Sequence, residues 1–225
     1  MSTISSFECD GYAVVARVLP EHDCAAAAAM VQLADPGAGG TRCLLAQPWC
    51  AALAATLRTH PALAGFIAAD SVAVQCNYFE KSAERNWLVP IHQDLSIAVA
   101  ARVADPALRG WSEKEGTQYV RAPAEVLERM VAVRIHLDAC GVDDGPLRMV
   151  PGSHRAGVVQ LQEAIAMRAA GAEVTCVCPV GGALVLRPLL LHASSKGMGS
   201  SRRRVLHFVF GPRELPYGLA WSGAV

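Results

Sequence analysis

The second half of the chain is a succession of short apolar segments rich in β-branched residues. After residue 86 these segments are IHQDLSIAVA, VAVRIHLDA, GPLRMV, EVTCVCPV, GALVLRPLLLHA and RRVLHFVF. Short segments of this kind, separated by Gly, Pro and Asp, are typical of β-sandwiches and barrels. A double-sheet barrel of the jelly-roll type protects the edges of so many short strands, and we expect that architecture here.

Helical signals are concentrated near the start of the chain. GYAVVARVL (11–19) predicts an opening strand, and a helix is expected over residues 20–34, with Pro20 at its start. A second helical stretch covers 48–69 and should break near Pro61. Together with a further helix over 159–171, this predicts a mainly β protein with flanking helices (α+β), whose helical portion at about 20–70 packs on the β-core.

Two connecting segments give more local expectations. Residues 102–123 are mixed in character and contain Trp111, which suggests a long loop that acts as a lid or binding segment. Gly181-Gly182 lies between two strand-like segments and predicts a hairpin turn.

Composition limits the class of protein. The chain has 225 residues, of which 52% are hydrophobic and 18% charged, so we expect one globular domain spanning 1–225. Twenty basic residues balance twenty acidic ones, and we therefore expect no nucleic-acid or membrane partner. The first residues lack a secretory signal, which favours a cytoplasmic protein with its eight cysteines reduced.

Four residues carry the chemistry of the prediction. His92 and Asp94 form a His-x-Asp pair, His192 follows far downstream, and Arg203 lies eleven residues beyond it. Side chains at i and i+2 of a strand point to the same side, so the pair can reach one metal ion. Two imidazoles and one carboxylate on one face of Fe(II) leave three coordination positions open.

The residue types alone leave an alternative. A second His-x-Asp pair occurs at His136 and Asp138, and with His192 it would supply the same ligand set. Histidines that are satisfied by ordinary core hydrogen bonds are a further interpretation of these positions.

Three blocks, in order, resemble a known family. NWLVPIHQDLS (86–96), GPLRMVPGSHR (145–155) and LLLHASSKGMGSSRRRVLHF (189–208) are similar to the phytanoyl-CoA dioxygenase-like family of Fe(II)/2-oxoglutarate-dependent oxygenases. The resemblance implies a double-stranded β-helix (cupin-like) core. It also implies that His92, Asp94 and His192 bind the metal, because the family's metal pair precedes the PGSH block. Members often carry Asn-Gly before that block, where this chain has Asp144-Gly145.

The resemblance also implies a binding site for 2-oxoglutarate. The family's anchoring arginine falls on Arg203, and Ser194 and Gln93 match positions that help to hold the cosubstrate. A guanidinium can bind the far carboxylate through two parallel hydrogen bonds. Strand alternation lets Arg203 face inward while Arg202 and Arg204 face outward. His207 is in phase with Arg203 and is expected either near the cosubstrate or as a core histidine.

The implied activity is hydroxylation of a small molecule by O2, with release of succinate and CO2. The substrate would be an amino acid, an acyl compound or a secondary metabolite, and Asp94 favours hydroxylation over halogenation because it occupies the place of a halide. The same iron centre could instead catalyse desaturation, cyclisation or epimerisation. A non-catalytic metal- or ligand-binding sensor is the alternative from another class. Arg148, Trp111 and Asn86 are the predicted substrate contacts, and no oligomeric state is predicted.

Overall fold

A computed structural model describes residues 3–33, 37–199 and 201–225. The helices are α1 (Thr3–Asp10), α2 (Glu21–Met30), α3 (Pro48–Thr59), α4 (Ala124–Glu128) and α5 (Leu161–Ala170), with 3₁₀ turns at Leu44–Ala46, Pro61–Leu63 and Ser153–Ala156. The strands are β1 (Tyr12–Val15), β2 (Gly40–Thr41), β3 (Val72–Lys81), β4 (Val89–His92), β5 (Ser96–Val99), β6 (Arg109–Lys114), β7 (Thr117–Arg121), β8 (Val131–His136), β9 (Leu147–Met149), β10 (Val174–Cys176), β11 (Ala183–Leu186), β12 (His192–Ser194) and β13 (Arg203–Gly211).

Two antiparallel sheets form the barrel. The larger sheet has the order β1-β11-β8-β13-β3-β2, and the smaller has the order β10-β9-β12-β4. Residues of both sheets line one cavity and share an apolar cluster, so the sheets pack face to face. The prediction of a mainly β, jelly-roll fold is confirmed. It is this pairing of strands distant in sequence that brings residues 92 and 192 together.

The helices near the start of the chain cover the outer face of the larger sheet. Along β13, Leu206, Phe208 and Phe210 point outward and are fully buried beneath them. From α3, the side chains of Cys50, Ala54 and Leu57 complete this cluster, at the spacing of one helical face. Helix α3 ends before Pro61, as its sequence predicts. Helix α2 ends at Met30, and the last residue of its predicted range, Ala34, lies outside the described residues.

The predicted long loop at 102–123 is wrong in its second half, which folds as a hairpin. Strands β6 and β7 pair with each other, and β5 pairs with β7 to complete a three-stranded sheet. Glu115 and Gly116 form the turn, with φ values of 49° and 74°. A two-residue turn with positive φ values matches the twist of the strands. Glycine adopts the positive φ of the second position with little strain. Charged residues around the turn interrupt the alternation of apolar and polar residues, so the sequence does not indicate the two strands clearly.

The predicted hairpin at Gly181-Gly182 is also wrong. Strand β10 belongs to the smaller sheet and β11 to the larger, so the two glycines carry the chain from one sheet to the other. Gly181 has φ 71°, its N–H donates to the carbonyl of His136, and its carbonyl accepts from Val18. A Cβ at this position would collide with the carbonyl of Leu19, which explains the glycine.

Two smaller features complete the fold. All eight cysteines are free thiols, and seven of them are buried or half-buried. Among the described residues, no helix combines the length and the apolar composition that crossing a bilayer needs.

Candidate metal centre and its cavity

The residues predicted to bind metal lie together on the smaller sheet. His92 is the last residue of β4, and it pairs directly with His192 of β12. Asp94 follows two residues after the strand ends. Its carboxylate oxygens lie 3.7 Å from Nε2 of His92 and 3.7 Å from Nε2 of His192. One ligand atom from each residue falls within 4.8 Å of the others, and no other such group occurs in the part of the chain that the structure describes.

The tautomers of the two histidines suit a metal ligand. Nδ1 of His92 is 2.9 Å from the carbonyl of Pro90, and Nδ1 of His192 is 2.9 Å from the carbonyl of Leu190. A carbonyl can only accept a hydrogen bond, so each Nδ1 carries the proton and each Nε2 keeps its lone pair. Both lone pairs then face the Asp94 carboxylate across a gap too long for a hydrogen bond. The three residues therefore fit a divalent cation.

The electrostatics of the cluster keep Asp94 ionised. Burial opposes its ionisation, but the neighbouring imidazoles of His192, His92 and His207 together lower its pKa far below the ordinary value. Burial lowers the pKa of His192, which keeps this imidazole neutral.

The alternative pair at His136 and Asp138 lies elsewhere. The Asp138 carboxylate accepts two hydrogen bonds from the guanidinium of Arg204, at 2.8 and 2.7 Å. His136 is buried on β8, and burial together with Arg134 and Arg203 holds its pKa well below the ordinary value. Among the described residues, it is therefore His92 and Asp94, and not His136 and Asp138, that lie together with His192.

His207 lies close to the metal cluster, on strand β13 of the larger sheet. Its Nε2 is 3.9 Å from the Asp94 carboxylate, and its Nδ1 has no hydrogen-bond partner among the described residues. Burial lowers its pKa to about 4, so this side chain is neutral at pH 7. The sequence predicts His207 either near the cosubstrate or as a core histidine, and in the structure its ring lies beside Asp94 of the metal cluster.

Arg203 faces the cavity, and its two neighbours face outward. Arg202 binds the carboxylate of Glu80 and Arg204 that of Asp138, which confirms the alternation expected from the sequence. Arg203 is 2% exposed, and its Nη1 donates to the carbonyl of Gly145 at 2.7 Å. Its Nε has no partner among the described residues.

Two further cations, which the sequence analysis missed, lie close to Arg203. Lys81 is its cross-strand partner on β3, and its Nζ donates to Oγ of Ser194 and to the carbonyl of Ser195, each at 2.6 Å. Arg134 is 6% exposed and places its guanidinium over the ring of Phe79 at 5.5 Å. Among the described residues, its side chain makes no hydrogen bond or ion pair. The sequence contained a signal for Lys81 and Arg134, since each is a charged residue at a cavity-facing position of a buried strand.

The three cations destabilise one another. Burial, followed by Arg203 and Arg134, lowers the pKa of Lys81 to about 7. Burial and Arg203 lower the pKa of Arg134 to about 9. Among the described residues that line this cavity, Asp94 is the only carboxylate. A bound anion would relieve the repulsion, because buried charges normally require a partner.

The cavity between the sheets has a volume of about 390 Å³, within the range of small-molecule sites. Ser194 lines it and donates to the carbonyl of Gly145. Gln93 also lies along its wall, but its amide is engaged by backbone. Its Nε2 donates to the carbonyls of Gly157 and Leu189, and its Oε1 accepts from the N–H of Val159.

The three predicted substrate contacts lie outside this cavity. Arg148 forms an ion pair with Glu173 at 3.2 Å and does not line the cavity. Trp111 packs against the apolar cluster of the barrel, with Arg102 over its ring. The amide of Asn86 is held by the N–H and the carbonyl of Gly197. Their roles as substrate contacts therefore stay predictions that the cavity lining does not support.

A jelly-roll barrel that carries two histidines and a carboxylate beside a cationic cavity defines a class of non-haem metal oxygenases. The family model of phytanoyl-CoA dioxygenase (PhyH) matches residues 7–205, and the chain belongs to this family. A comparison with curated protein sequences found no match. The chain is an Fe(II)- and 2-oxoglutarate-dependent oxygenase.

Solved structures agree on the fold. The non-haem α-ketoglutarate-dependent carbocyclase SnoK from nogalamycin biosynthesis aligns with a TM-score of 0.67 and 14% identity, over 95% of this chain and 85% of its own. HygX from Streptomyces hygroscopicus, solved with nickel and 2-oxoglutarate, gives 0.65 and 17% over 93% and 85%. AviO1 from Streptomyces viridochromogenes Tue57 gives 0.62 and 21% over 95% of both chains.

Proposed function

We propose that the protein hydroxylates a small-molecule substrate, with His92, Asp94 and His192 as the ligands of Fe(II). 2-Oxoglutarate would be held by Arg203, Ser194 and two residues added from the structure, Lys81 and Arg134. The observation that carries this proposal is the position of the metal cluster. It faces a cavity whose buried cations form no ion pair with any carboxylate among the described residues.

The protein's own task at the metal is to fix three ligand atoms. The carbonyls of Pro90 and Leu190 hold the imidazole rings in one orientation and one tautomer. Asp94 stays a carboxylate because the surrounding histidines lower its pKa. Bound Fe(II) supplies the site at which O2 oxidises 2-oxoglutarate to succinate and CO2 and oxidises the substrate.

The cationic end of the cavity suits a dicarboxylate that reaches away from the metal. Along β13, His207 lies level with the metal cluster and Arg203 lies four residues away, a distance of about 13 Å for a strand. A carboxylate offers about four lone-pair positions, enough for Arg203, Lys81 and Arg134 together. We infer that Gln93 acts indirectly, since its amide holds the backbone around Gly157 and Leu189.

The β6–β7 hairpin closes one side of the cavity. Lys114 and Tyr119 of the hairpin line it, together with Arg42. The carboxylate of Glu115, at the turn, accepts hydrogen bonds from Thr41 and from the N–H and Nη1 of Arg42. These contacts tie the hairpin to the barrel and restrict access of water to the reacting groups.

Cyclisation or epimerisation by the same centre is the second candidate. The structural neighbours include the carbocyclase SnoK and the epimerase SnoN of nogalamycin biosynthesis. Product mass separates the reactions, because hydroxylation adds one oxygen atom and epimerisation leaves the mass unchanged. A non-catalytic sensor would bind iron and 2-oxoglutarate but release no succinate with any substrate.

The cellular setting is proposed on two observations. Eight free thiols suit a reducing compartment such as the cytoplasm. Equal numbers of acidic and basic residues give no global attraction to nucleic acid.

The proposal is tested by adding 2-oxoglutarate to the anaerobic Fe(II) protein and then screening metabolites for succinate release. We expect a weak visible charge-transfer band on adding 2-oxoglutarate and substrate-dependent succinate from the wild type. His92→Ala should show neither. A wild-type protein that binds iron but never gives the band would contradict the proposed function, as would equal succinate release from His92→Ala.

A further inference from the structure

We propose that the substrate is an uncharged molecule that carries a hydroxyl or amide group on an apolar body. Its polar group would be bound by the carboxamides of Asn77 and Gln75. This inference rests on the proposed function, since it assigns the part of the cavity that 2-oxoglutarate leaves free.

The register of β3 and β13 divides the cavity into two ends. Lys81 pairs with Arg203 at one end, Asn77 pairs with His207 in the middle, and Gln75 pairs with Val209 at the other. Because His207 is 3.9 Å from Asp94, the middle of this ladder is level with the metal cluster. Lys81 and Gln75 are six residues apart, or about 20 Å along the strand.

The cosubstrate would occupy only the end that carries the cations. Arg134 belongs to this end as well, although its backbone pairs with His207. Its guanidinium extends over the ring of Phe79, whose register position lies between Asn77 and Lys81. A dicarboxylate that reaches from the metal to these cations leaves the end at Gln75 for the substrate.

Asn77 is a polar group without a partner at the boundary of that free end. Its side chain lines the cavity, the residue is 7% exposed, and its Oδ1 has no hydrogen-bond partner among the described residues. An unpaired buried amide oxygen costs about 1–3 kcal/mol, which a donor on the substrate would recover. Gln75 presents a second carboxamide two residues along the same face.

The described side chains packed around Val209 are apolar. Ala132 is its cross-strand partner, and Ile97, Leu127 and Met130 belong to the same apolar cluster and line the same cavity. The remaining charged lining residues, Arg42 and Lys114, are partly or fully exposed at the hairpin. Arg42 is already paired with Glu115. A carboxylate or phosphate placed at the Gln75 end would therefore be desolvated without a described cation beside it.

Matched fragments test this assignment. The probes are 3-phenylpropanamide and 3-phenylpropionate, which share an apolar body and differ in charge. Binding is measured by ligand-observed NMR to protein loaded with Zn(II), which cannot turn over, and 2-oxoglutarate. We expect the amide to bind at least tenfold more tightly than the carboxylate. Asn77→Leu should weaken amide binding about 5- to 10-fold, the effect of losing one buried hydrogen bond.

Two control variants isolate the effect. Gln118→Leu removes a carboxamide on the hairpin that does not line the cavity, and it should leave the binding of both fragments unchanged. Arg134→Met should weaken 2-oxoglutarate binding while leaving Asn77-dependent amide binding intact. Circular dichroism and thermal unfolding establish that each variant is folded.

Three outcomes would overturn the assignment. They are carboxylate binding equal to or tighter than amide binding, amide binding that is unaffected by Asn77→Leu, and no binding of the amide at about 10 mM. Failure of the wild-type protein to bind 2-oxoglutarate in the same titrations would instead contradict the proposed function. The two failures are therefore distinguishable.

Discussion

Lys81 should make 2-oxoglutarate binding depend on pH above neutrality. Its ammonium faces Arg203 on β13 and Arg134 on β8, with the Cys140 thiol nearby, and burial with these cations lowers its pKa from 10.5 to about 7. That shift corresponds to about 4–5 kcal/mol against the ammonium in the empty cavity. A bound carboxylate stabilises the ammonium and raises the pKa again, so binding takes up a proton wherever the free lysine is neutral.

The sign and the size of the effect follow from this linkage. Below pH 7 Lys81 is already charged, and the dissociation constant of 2-oxoglutarate should be insensitive to this residue's titration. Above pH 7 each pH unit adds about 1.4 kcal/mol of protonation cost, so the constant should rise about tenfold per unit until the pKa of the complex is reached. Lys81→Met should bind more weakly at pH 7 and lose this slope.

The assay is isothermal titration calorimetry of 2-oxoglutarate into the Zn(II) protein between pH 7 and 9 at constant ionic strength. This window lies above the range in which neutral histidines gain a proton. Buffers of different ionisation enthalpy report the proton uptake directly. Equal slopes for wild type and Lys81→Met, or no proton uptake at pH 8, would refute the assignment of Lys81 as a cosubstrate cation.

Three other perturbations have defined outcomes. Arg203→Lys loses the two-pronged hydrogen bonding, and calorimetry should show 2-oxoglutarate affinity falling by about 100-fold with iron affinity nearly unchanged; the reverse pattern would mean the wrong arginine. Gly181→Ala should lower the free energy of unfolding by more than about 2 kcal/mol in urea titrations, because its Cβ meets the Leu19 carbonyl at φ 71°, and a neutral effect would contradict this. Glu115→Ala releases the hairpin from Arg42, so limited proteolysis should cut near residue 115 faster than in wild type; unchanged cleavage would show that the contact is dispensable.

The sequence was most informative where strand alternation determines which side chains face the cavity. Alternation along β13 placed Arg203 inward between two outward arginines, and the helix break near Pro61 was predicted from the proline itself. Residue types alone left His92 and His136 as alternatives, and the family resemblance selected His92. The pairing of β4 with β12, which no local pattern contains, is what brings His92 beside His192. The single-domain assignment for residues 1–225 stays a prediction.

The errors share a physical origin. Gly181-Gly182 has the composition of a hairpin turn, but sheet membership is set by long-range pairing, and the turn connects two sheets. The sequence does not reveal the role of Lys81 and Arg134, because each is a single charge within an apolar strand. Their role depends on proximity to Arg203, which lies on another strand. Arg148, which was predicted as a substrate contact, forms an ion pair with Glu173 outside the cavity.

The central claim is that one iron ion and one 2-oxoglutarate share this cavity at assigned positions. Anomalous X-ray diffraction from anaerobic crystals grown with both tests it directly. We expect a single iron peak bound by Nε2 of His92, Nε2 of His192 and the Asp94 carboxylate, with the far carboxylate of 2-oxoglutarate against Arg203. Iron bound at His136 and Asp138, or 2-oxoglutarate bound away from Arg203, would contradict the account.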